Sequence, residues 1–270
     1  MRLFFIFFFF TSNIINCAAE EVKSLENSVN LNSPLSQMVF SADKYAYGQT
    51  ELGQKDIKAA YQEAENLLKK VIESNQSFEK NLALITLAQY HKDGKTVLSL
   101  TDKAAAFKEA EKYFKIALEN IKDPEYKYTA LGELAMLHQM GHTEIGQKDK
   151  IAGLKEAERI YKILAEQNEY IPSKYTGLGL LISMQGNGET ELSRQNTIEG
   201  YKEAEKFMNI IILHKDFDIW KTSAISQLAQ FHYQGKSELS RKDRSASFKE
   251  AERLWKLESE LQDELRKEYD

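Results

Sequence analysis

One stretch of the chain occurs five times, and this repetition limits the possible fold more than any other feature of the sequence. The copies begin at Gly48, Gly94, Gly141, Gly188 and Gly235. Each copy starts with glycine, reaches an Asp or Asn, and continues into an aromatic residue or leucine, then Lys or Gln, then Glu-Ala-Glu. A repeat of this length is typical of arrays in which one helical unit stacks on the next.

The spacing of the Asp or Asn residue indicates where helices begin, because these side chains accept the free N–H groups of a first helical turn. Neighbouring capping positions lie 46 or 47 residues apart, at Asp56, Asp102, Asp149, Asn196 and Asp243. Ser33 followed by Pro34 is a further helix start. Caps and apolar periodicity together predict ten helices, at 34–47, 57–74, 78–93, 103–121, 124–140, 150–167, 172–185, 197–213, 217–234 and 244–268.

The apolar residues of these predicted helices recur on one face of each. First helices alternate small and aliphatic residues, as in Ala130–Ala135, and second helices place an alanine between two large apolar residues, as Leu154, Ala157 and Tyr161 do. A single hairpin cannot bury such faces, whereas stacked neighbours can. We therefore predict an all-α fold: an α-solenoid of about five antiparallel helical hairpins with a period of 46–47 residues, stacked into a superhelix over residues 34–270. The last helix turns polar beyond Trp255, which suits a C-terminal cap.

The N-terminus has the features of an export signal. Met1-Arg2 is followed by an apolar run to Phe10 and by small residues near Ala18, so residues 1–19 are predicted to be a signal peptide. Ile14–Cys17 resembles a bacterial lipoprotein processing box, in which Cys17 is lipidated. Cleavage after Ala18 or Ala19 is the alternative, and the sequence does not decide between them. Residues 20–33 are polar and predict a flexible tether.

Composition excludes several classes of function. The chain carries 36 basic and 41 acidic residues without a basic cluster, which argues against nucleic-acid binding. Its one cysteine allows no internal disulfide. No phosphate-binding loop, metal-ligand spacing, nucleophile elbow or catalytic triad is present, so we expect neither enzymatic activity nor a cofactor nor a metal.

The repeat resembles tetratricopeptide-type helical repeats, and among them the Sel-one-like branch. Leu131-Gly132, Gly141, Asp149 and Ala157–Tyr161 carry the resemblance, and the copies cover about 34–258. The loop Gly141–Asp149 is longer than is usual in that branch, and so is the period. The resemblance implies an adaptor or scaffold for protein partners, often in bacterial envelope or secretion systems. Hydrolase activity is known among cysteine-rich Sel-one-like proteins, whose disulfides this chain lacks.

Three recurring features contain side chains that could bind a metal, catalyse a reaction or contact a partner. His91, His138 and His232 each lie three residues before a repeat glycine. Equivalent positions in stacked hairpins lie too far apart for one metal ion, so we expect these histidines to bond the last helix carbonyls. The glutamates of Glu-Ala-Glu point in different directions, and we expect pairs such as Glu109 with Lys112 and Glu156 with Arg159.

The motif Thr/Ser-Glu-Leu/Ile recurs near the start of four copies. Either its aliphatic residues form a row of exposed recognition elements, or they pack under the loop and hold it in place. We favour the second interpretation. The aliphatic residues are Leu52, Ile145, Leu192 and Leu239.

The function expected from this sequence is binding of a protein or peptide partner by a secreted or envelope-tethered scaffold, located in the periplasm, at the outer membrane or outside the cell. Membrane association is expected only through a lipid on Cys17. An exported factor that binds host proteins is the alternative. In tetratricopeptide-like arrays the first helices line the binding face, and carrying this over predicts a partner-binding groove with large or polar side chains. Its residues are Gln89, Tyr90, Glu133, Met136, Leu137, Met184, Trp220, Gln227, Gln230 and Phe231.

Overall fold

The computed structural model describes residues 33–74, 77–214 and 218–269. This part of the chain is all-helical and contains ten long helices and five helices of five residues each. The predicted signal peptide, Cys17 and the tether as far as residue 32 lie outside the described residues, and those predictions stay open. Within the described ranges, no helix is long and apolar enough to span a bilayer.

The long helices alternate as first and second members of five hairpins, with one short helix inside each hairpin. The first helices are α1 (Pro34–Ala46), α4 (Ser77–Asp93), α7 (Pro124–Gln139), α10 (Ile171–Asn187) and α13 (Asp218–Gln234). The short helices are α2 (Glu51–Lys55), α5 (Val97–Thr101), α8 (Glu144–Lys148), α11 (Glu191–Gln195) and α14 (Glu238–Lys242). The second helices are α3 (Ile57–Ile72), α6 (Lys103–Asn120), α9 (Lys150–Glu166), α12 (Thr197–Ile212) and α15 (Arg244–Tyr269). The ten predicted long helices are confirmed, with small differences at their ends.

The second helices begin where their capping residues predict. The Asp56 and Asp102 side chains accept the N–H groups of Ala59 and Ala105 at 3.0 and 2.9 Å. Asn196 accepts the N–H of Ile198 at 3.1 Å, so the asparagine does the same work as the aspartates. Each side chain satisfies a donor that the helix itself leaves free.

The first helices end at the repeat glycines, all five of which have a positive φ between 68° and 82°. This left-handed conformation is accessible to glycine at little cost. It lets the chain turn back so that its N–H groups bond the end of the helix. At Gly141, for example, the N–H of the following His142 donates to the carbonyl of Leu137 at 2.9 Å.

The segment between each glycine and the next capping residue was predicted to be a loop, and this is wrong. It contains a short helix that begins at Thr or Ser. In the third repeat, the Thr143 hydroxyl accepts the N–H of Gly146 at 3.2 Å. A five-residue helix is too short to show a periodic apolar pattern, and its capping hydroxyl was the available signal.

The chain divides into two compact units, Met1–Asn120 and Ile121–Asp270. In the first unit, α1 packs on α3, α4 packs on α6, and α3 also packs on α4 of the next repeat. In the second unit the same arrangement holds for three repeats, with α9 packed on α10 and α12 on α13. These contacts are consistent with a helical repeat. They bury the apolar faces that the sequence predicts, with Leu68, Tyr161 and Met208 completely buried.

Candidate interaction surfaces and the joints between repeats

Each recurrent histidine contacts the hydroxyl group that begins the following short helix. Nδ1 of His138 lies 2.8 Å from Oγ1 of Thr143, and Nδ1 of His232 lies 2.8 Å from Oγ of Ser237. In the fourth repeat the hydroxyl of Thr190 donates to Oε1 of Gln185 at 2.6 Å. The position therefore holds the short helix against the end of the first helix.

We predicted that these histidines bond the last helix carbonyls, but the observed partner of each ring is the capping hydroxyl. The glycine turn already supplies donors to those carbonyls, since the N–H of Gly141 donates to His138 O at 3.0 Å. The histidine ring is left to bond the capping hydroxyl, as Nδ1 of His91 does with Thr96 Oγ1 at 3.1 Å.

The contact at His91 fits a neutral imidazole. The Thr96 hydroxyl accepts the N–H of Ser99 at 3.1 Å, so its own proton is available to donate to Nδ1 of His91. In that arrangement the ring proton is on Nε2. Burial lowers the pKa of His91 and of His232, which favours the same neutral form. Across the described ranges, no group of three His, Cys, Asp or Glu residues is placed to hold a metal ion.

The second glutamate of Glu-Ala-Glu connects neighbouring repeats. Glu65 accepts the N–H of Val97 at 2.8 Å, Glu158 that of Glu191 at 2.8 Å, and Glu205 that of Glu238 at 2.9 Å. Each acceptor lies on a second helix, and each donor is the first residue of the next short helix. We call Glu65, Glu158 and Glu205 the joint glutamates.

Lysines one turn later pair with two of the three joint glutamates. Glu65 bonds Lys69 at 3.1 Å and Glu158 bonds Lys162 at 2.8 Å. Both carboxylates are buried. A buried charge that is both paired and hydrogen-bonded is tolerated, whereas an unpaired one is costly. The joint glutamates are thus structural.

The first glutamate of the motif behaves as the sequence predicts. Glu109 bonds Lys112 at 3.0 Å, and Glu156 bonds the guanidinium of Arg159 at 2.7 Å. These pairs are confirmed. They lie on the exposed side of their helices, where such pairs contribute little to stability.

Four of the ten predicted groove residues are buried in the structure. They are equivalent positions, one residue before the recurrent His or Gln: Tyr90, Leu137, Met184 and Phe231. Tyr90 packs with Leu68 of the preceding second helix, and its hydroxyl donates to the Asp43 carboxylate. Met184 packs with Tyr161 of the preceding second helix in the same way. At Tyr90 and Met184 the large side chain fills a joint between repeats, and all four residues belong to the core.

The other six groove residues are partly exposed. Trp220 packs at the edge of the core and stacks on Tyr175 with ring centroids 6.4 Å apart, and Met136 is likewise partly buried. The remaining four carry polar side chains and are Gln89, Glu133, Gln227 and Gln230. For these six residues the groove stays a prediction.

The aliphatic residues of the Thr/Ser-Glu-Leu/Ile motif, which we call the tip aliphatics, lie on four of the short helices. Leu52, Ile145 and Leu192 expose 38, 43 and 38% of their surface, and the fourth, Leu239, is partly buried. The favoured packing interpretation is wrong for these three. The residue that packs inward at this point is the Thr or Ser that begins the short helix, since Thr143, Thr190 and Ser237 are completely buried.

A second exposed aliphatic lies at the start of three of the following helices. Ile57, Ile151 and Ile198 expose 42, 52 and 50% of their surface. Sequence reasoning missed them, although each lies one or two residues after a capping Asp or Asn in three of the five repeats. Exposed aliphatics that occur singly need no explanation, but a recurring set in register marks a candidate interaction surface.

The short helices around the tip aliphatics carry balanced charge. Glu144 pairs with Lys148 at 2.7 Å, and the glutamates and lysines of α2 and α14 pair in the same way. The surface is therefore apolar with neutralised charge, which suits a protein partner better than a polyanion.

Comparison of the chain with protein-family models, curated proteins and solved structures finds no match.

Proposed function

We propose that this chain is a non-catalytic scaffold that binds protein partners, built as a solenoid of helical repeats of the tetratricopeptide or Sel-one-like kind. The observation that carries the proposal is the recurrence of exposed tip aliphatics, together with the isoleucines that follow them. Apolar side chains placed in register on successive repeats fit a partner that spans more than one repeat.

The repeated residues have different roles in the structure, and this difference supports the proposal. The glycines, the capping residues, the histidines and the joint glutamates all form bonds within or between repeats. The tip aliphatics are also repeated, yet they take no part in those joints. Their recurrence therefore has no architectural reason within the described residues, and binding supplies one.

We further propose that the chain is exported and that its N-terminus is either cleaved or lipidated at Cys17. This part rests on residues 1–19 of the sequence alone. The lipid would hold the protein at a membrane surface without a spanning helix.

The test is a pull-down from native cells of tagged wild-type chain and of the double variant Ile145→Glu, Leu192→Glu. We expect the wild type to recover a defined protein partner and the double variant to lose it at least about tenfold, because two buried charges oppose docking. The matched control is Gln147→Glu with Gln195→Glu, which adds the same charge at exposed positions of the same two short helices.

Equal recovery by the tip variant and its control would contradict the proposed surface. Turnover of a small substrate by the pure chain, with no partner recovered, would contradict the proposed function. Mass spectrometry of the recovered wild-type chain also reports its N-terminus. A chain that keeps Met1 and carries no lipid on Cys17 would contradict the export proposal.

A further inference from the structure

The last repeat leaves exposed a surface that the other repeats cover. Trp255 on α15 occupies the position of Leu68, Phe114, Tyr161 and Met208, which are all completely buried, but Trp255 itself is partly exposed. Two turns earlier, Phe248 exposes 38% of its surface. We call Phe248, Glu252 and Trp255 the end surface.

The preceding repeats of the same unit show what covers this surface. The ring of Tyr201, which is equivalent to Phe248, meets Phe231 of the next first helix edge-to-face at 5.8 Å. Lys236 of the next repeat lies over the same Tyr201 ring at 5.3 Å. Glu205, which is equivalent to Glu252, accepts the N–H of Glu238. The covering element is therefore a first helix followed by the start of a short helix.

The two helices approach closely at this joint, and this limits the covering residue. A Cβ atom on Gly177 would lie 2.7 Å from Leu164 Cβ and from the Ala165 nitrogen of the preceding second helix. The equivalent position in the other covering helices is always alanine, at Ala83, Ala130 and Ala224. A helix that covers the end surface therefore needs a small residue at this point.

At the end surface, residues of the last repeat itself only partly replace the missing contacts. The Tyr233 ring lies 5.6 Å from both Phe248 and Trp255, and the Arg244 guanidinium lies 4.4 Å above Phe248. Tyr233 is itself 51% exposed. Glu252, the counterpart of the joint glutamates, is exposed.

We propose that the end surface binds an amphipathic helix of another protein that has the pattern of this chain's own first helices. That pattern is a small residue, an aliphatic four positions later and an aromatic or large apolar residue three positions after that, as in Ala224, Leu228 and Phe231. A Ser- or Thr-capped helix start follows, and its first N–H bonds Glu252. The inference deepens the proposed function, since it names a second surface and a class of partner for the same scaffold.

A second copy of this chain does not fit as the occupant by its own first helix. At the positions of Ala224, Leu228 and Phe231, α1 carries Gln37, Ser41 and Lys44, which are polar. Glutamine is too large for the close approach, and lysine cannot replace the aromatic contact without burying a charge. The first helix of this chain therefore lacks the residues that the end surface needs.

The experiment uses the chain's own covering segment as the probe. The full chain with Trp220→Phe retains Trp255 as its single tryptophan, since the sequence contains two. A synthetic peptide of residues 218–242, also with phenylalanine at position 220, is titrated to about 1 mM, a range that detects weak helix docking. We expect a saturable blue shift of Trp255 emission and reduced quenching by acrylamide, and no such change with the same peptide carrying Ala224→Lys.

Variants of the chain show whether the peptide occupies the end surface. Glu252→Ala should weaken binding about 3- to 10-fold, the value of one hydrogen bond. Glu260→Ala, an exposed glutamate on the same helix, should leave it unchanged. A peptide that displaced α13 from the core would instead bond Glu205, and its affinity would then be unchanged by Glu252→Ala.

Absence of saturable binding, or binding that Glu252→Ala does not change, overturns the inference. Sedimentation that shows a dimer in which Trp255 is protected without peptide also overturns it, because a second copy is then the occupant. The peptide result does not depend on any natural partner. Its failure is therefore distinguishable from failure of the pull-down that tests the proposed function.

Discussion

At the scale of the residue, one position in four of the five repeats carries out the same task with two different side chains. His91, His138 and His232 bond the capping hydroxyl through Nδ1, and Gln185 bonds it through Oε1. In each of the four repeats one polar side-chain atom contacts the hydroxyl that begins the short helix. Glutamine does not titrate, so the fourth repeat shows that the same contact can be made by a side chain whose charge does not depend on pH.

This difference predicts an effect of pH on stability. A histidine in the unfolded chain titrates near about pH 6.5, and burial lowers the folded-state pKa of His91 and His232. Between the two pKa values the unfolded state binds more protons, so the free energy of unfolding falls as the pH falls. The double variant His91→Gln, His232→Gln should lose less stability than the wild type between pH 7 and pH 5.

Urea unfolding at the two pH values measures this effect. Carboxyl groups whose pKa is raised by burial, such as Asp43 and Glu125, act in the opposite direction but equally in both proteins. The control is His214→Gln, at an exposed histidine outside the repeated motif. An identical loss of stability in the double variant and the wild type would show that these histidines do not titrate on unfolding in this range.

At the scale of the element, local signals predict the long helices well. Asp149 and its counterparts start helices through their own side chains, and Gly141 and its counterparts end them through a positive φ. Both effects act within a few residues of the signal, which is why they are visible in a sequence. The five short helices were missed because a helix of five residues has no period to recognise.

Contacts between repeats were the part that the sequence did not predict. Glu158 accepts an N–H that lies 33 residues later in the chain, and nothing local to Glu158 indicates that partner. Tyr90, Leu137, Met184 and Phe231 were assigned to a groove because a large side chain on a first helix suits a groove and a joint equally well. Whether such a side chain lies in a groove or in a joint depends on how the preceding second helix packs against it. That packing involves residues far away in the sequence, so the residues around this position do not reveal it.

The joint glutamates provide a prediction at this scale. Glu158→Ala should lower the free energy of unfolding by about 1–3 kcal/mol, because it removes a buried carboxylate that accepts the Glu191 N–H and pairs with Lys162. Glu252→Ala removes the equivalent glutamate of α15, which is exposed, and should change stability by less than about 0.5 kcal/mol. Urea unfolding of both variants at pH 7 tests the pair. Equal effects would mean that the bond between repeats contributes nothing to stability.

At the scale of the whole molecule, the repeated residues divide into two groups. One group, with the glycines, caps, histidines and joint glutamates, is used within the structure and accounts for the fold. The other group, the tip aliphatics with Ile57, Ile151 and Ile198, recurs with the same period and remains on the surface. Exposed apolar side chains cost free energy in water, and our proposal of a bound protein gives their recurrence in successive repeats a reason.

Site-specific photo-crosslinking in native cells tests this central claim most directly. A photoreactive phenylalanine analogue is placed at Ile145 or Leu192, and, as the control, at Gln147 or Gln195 on the same short helices. The account predicts that Ile145 and Leu192 crosslink to the same protein, and that the controls give that product at most weakly. Crosslinks that are absent from both tip positions, or equally strong from the controls, would contradict the claim that the tip aliphatics bind a partner.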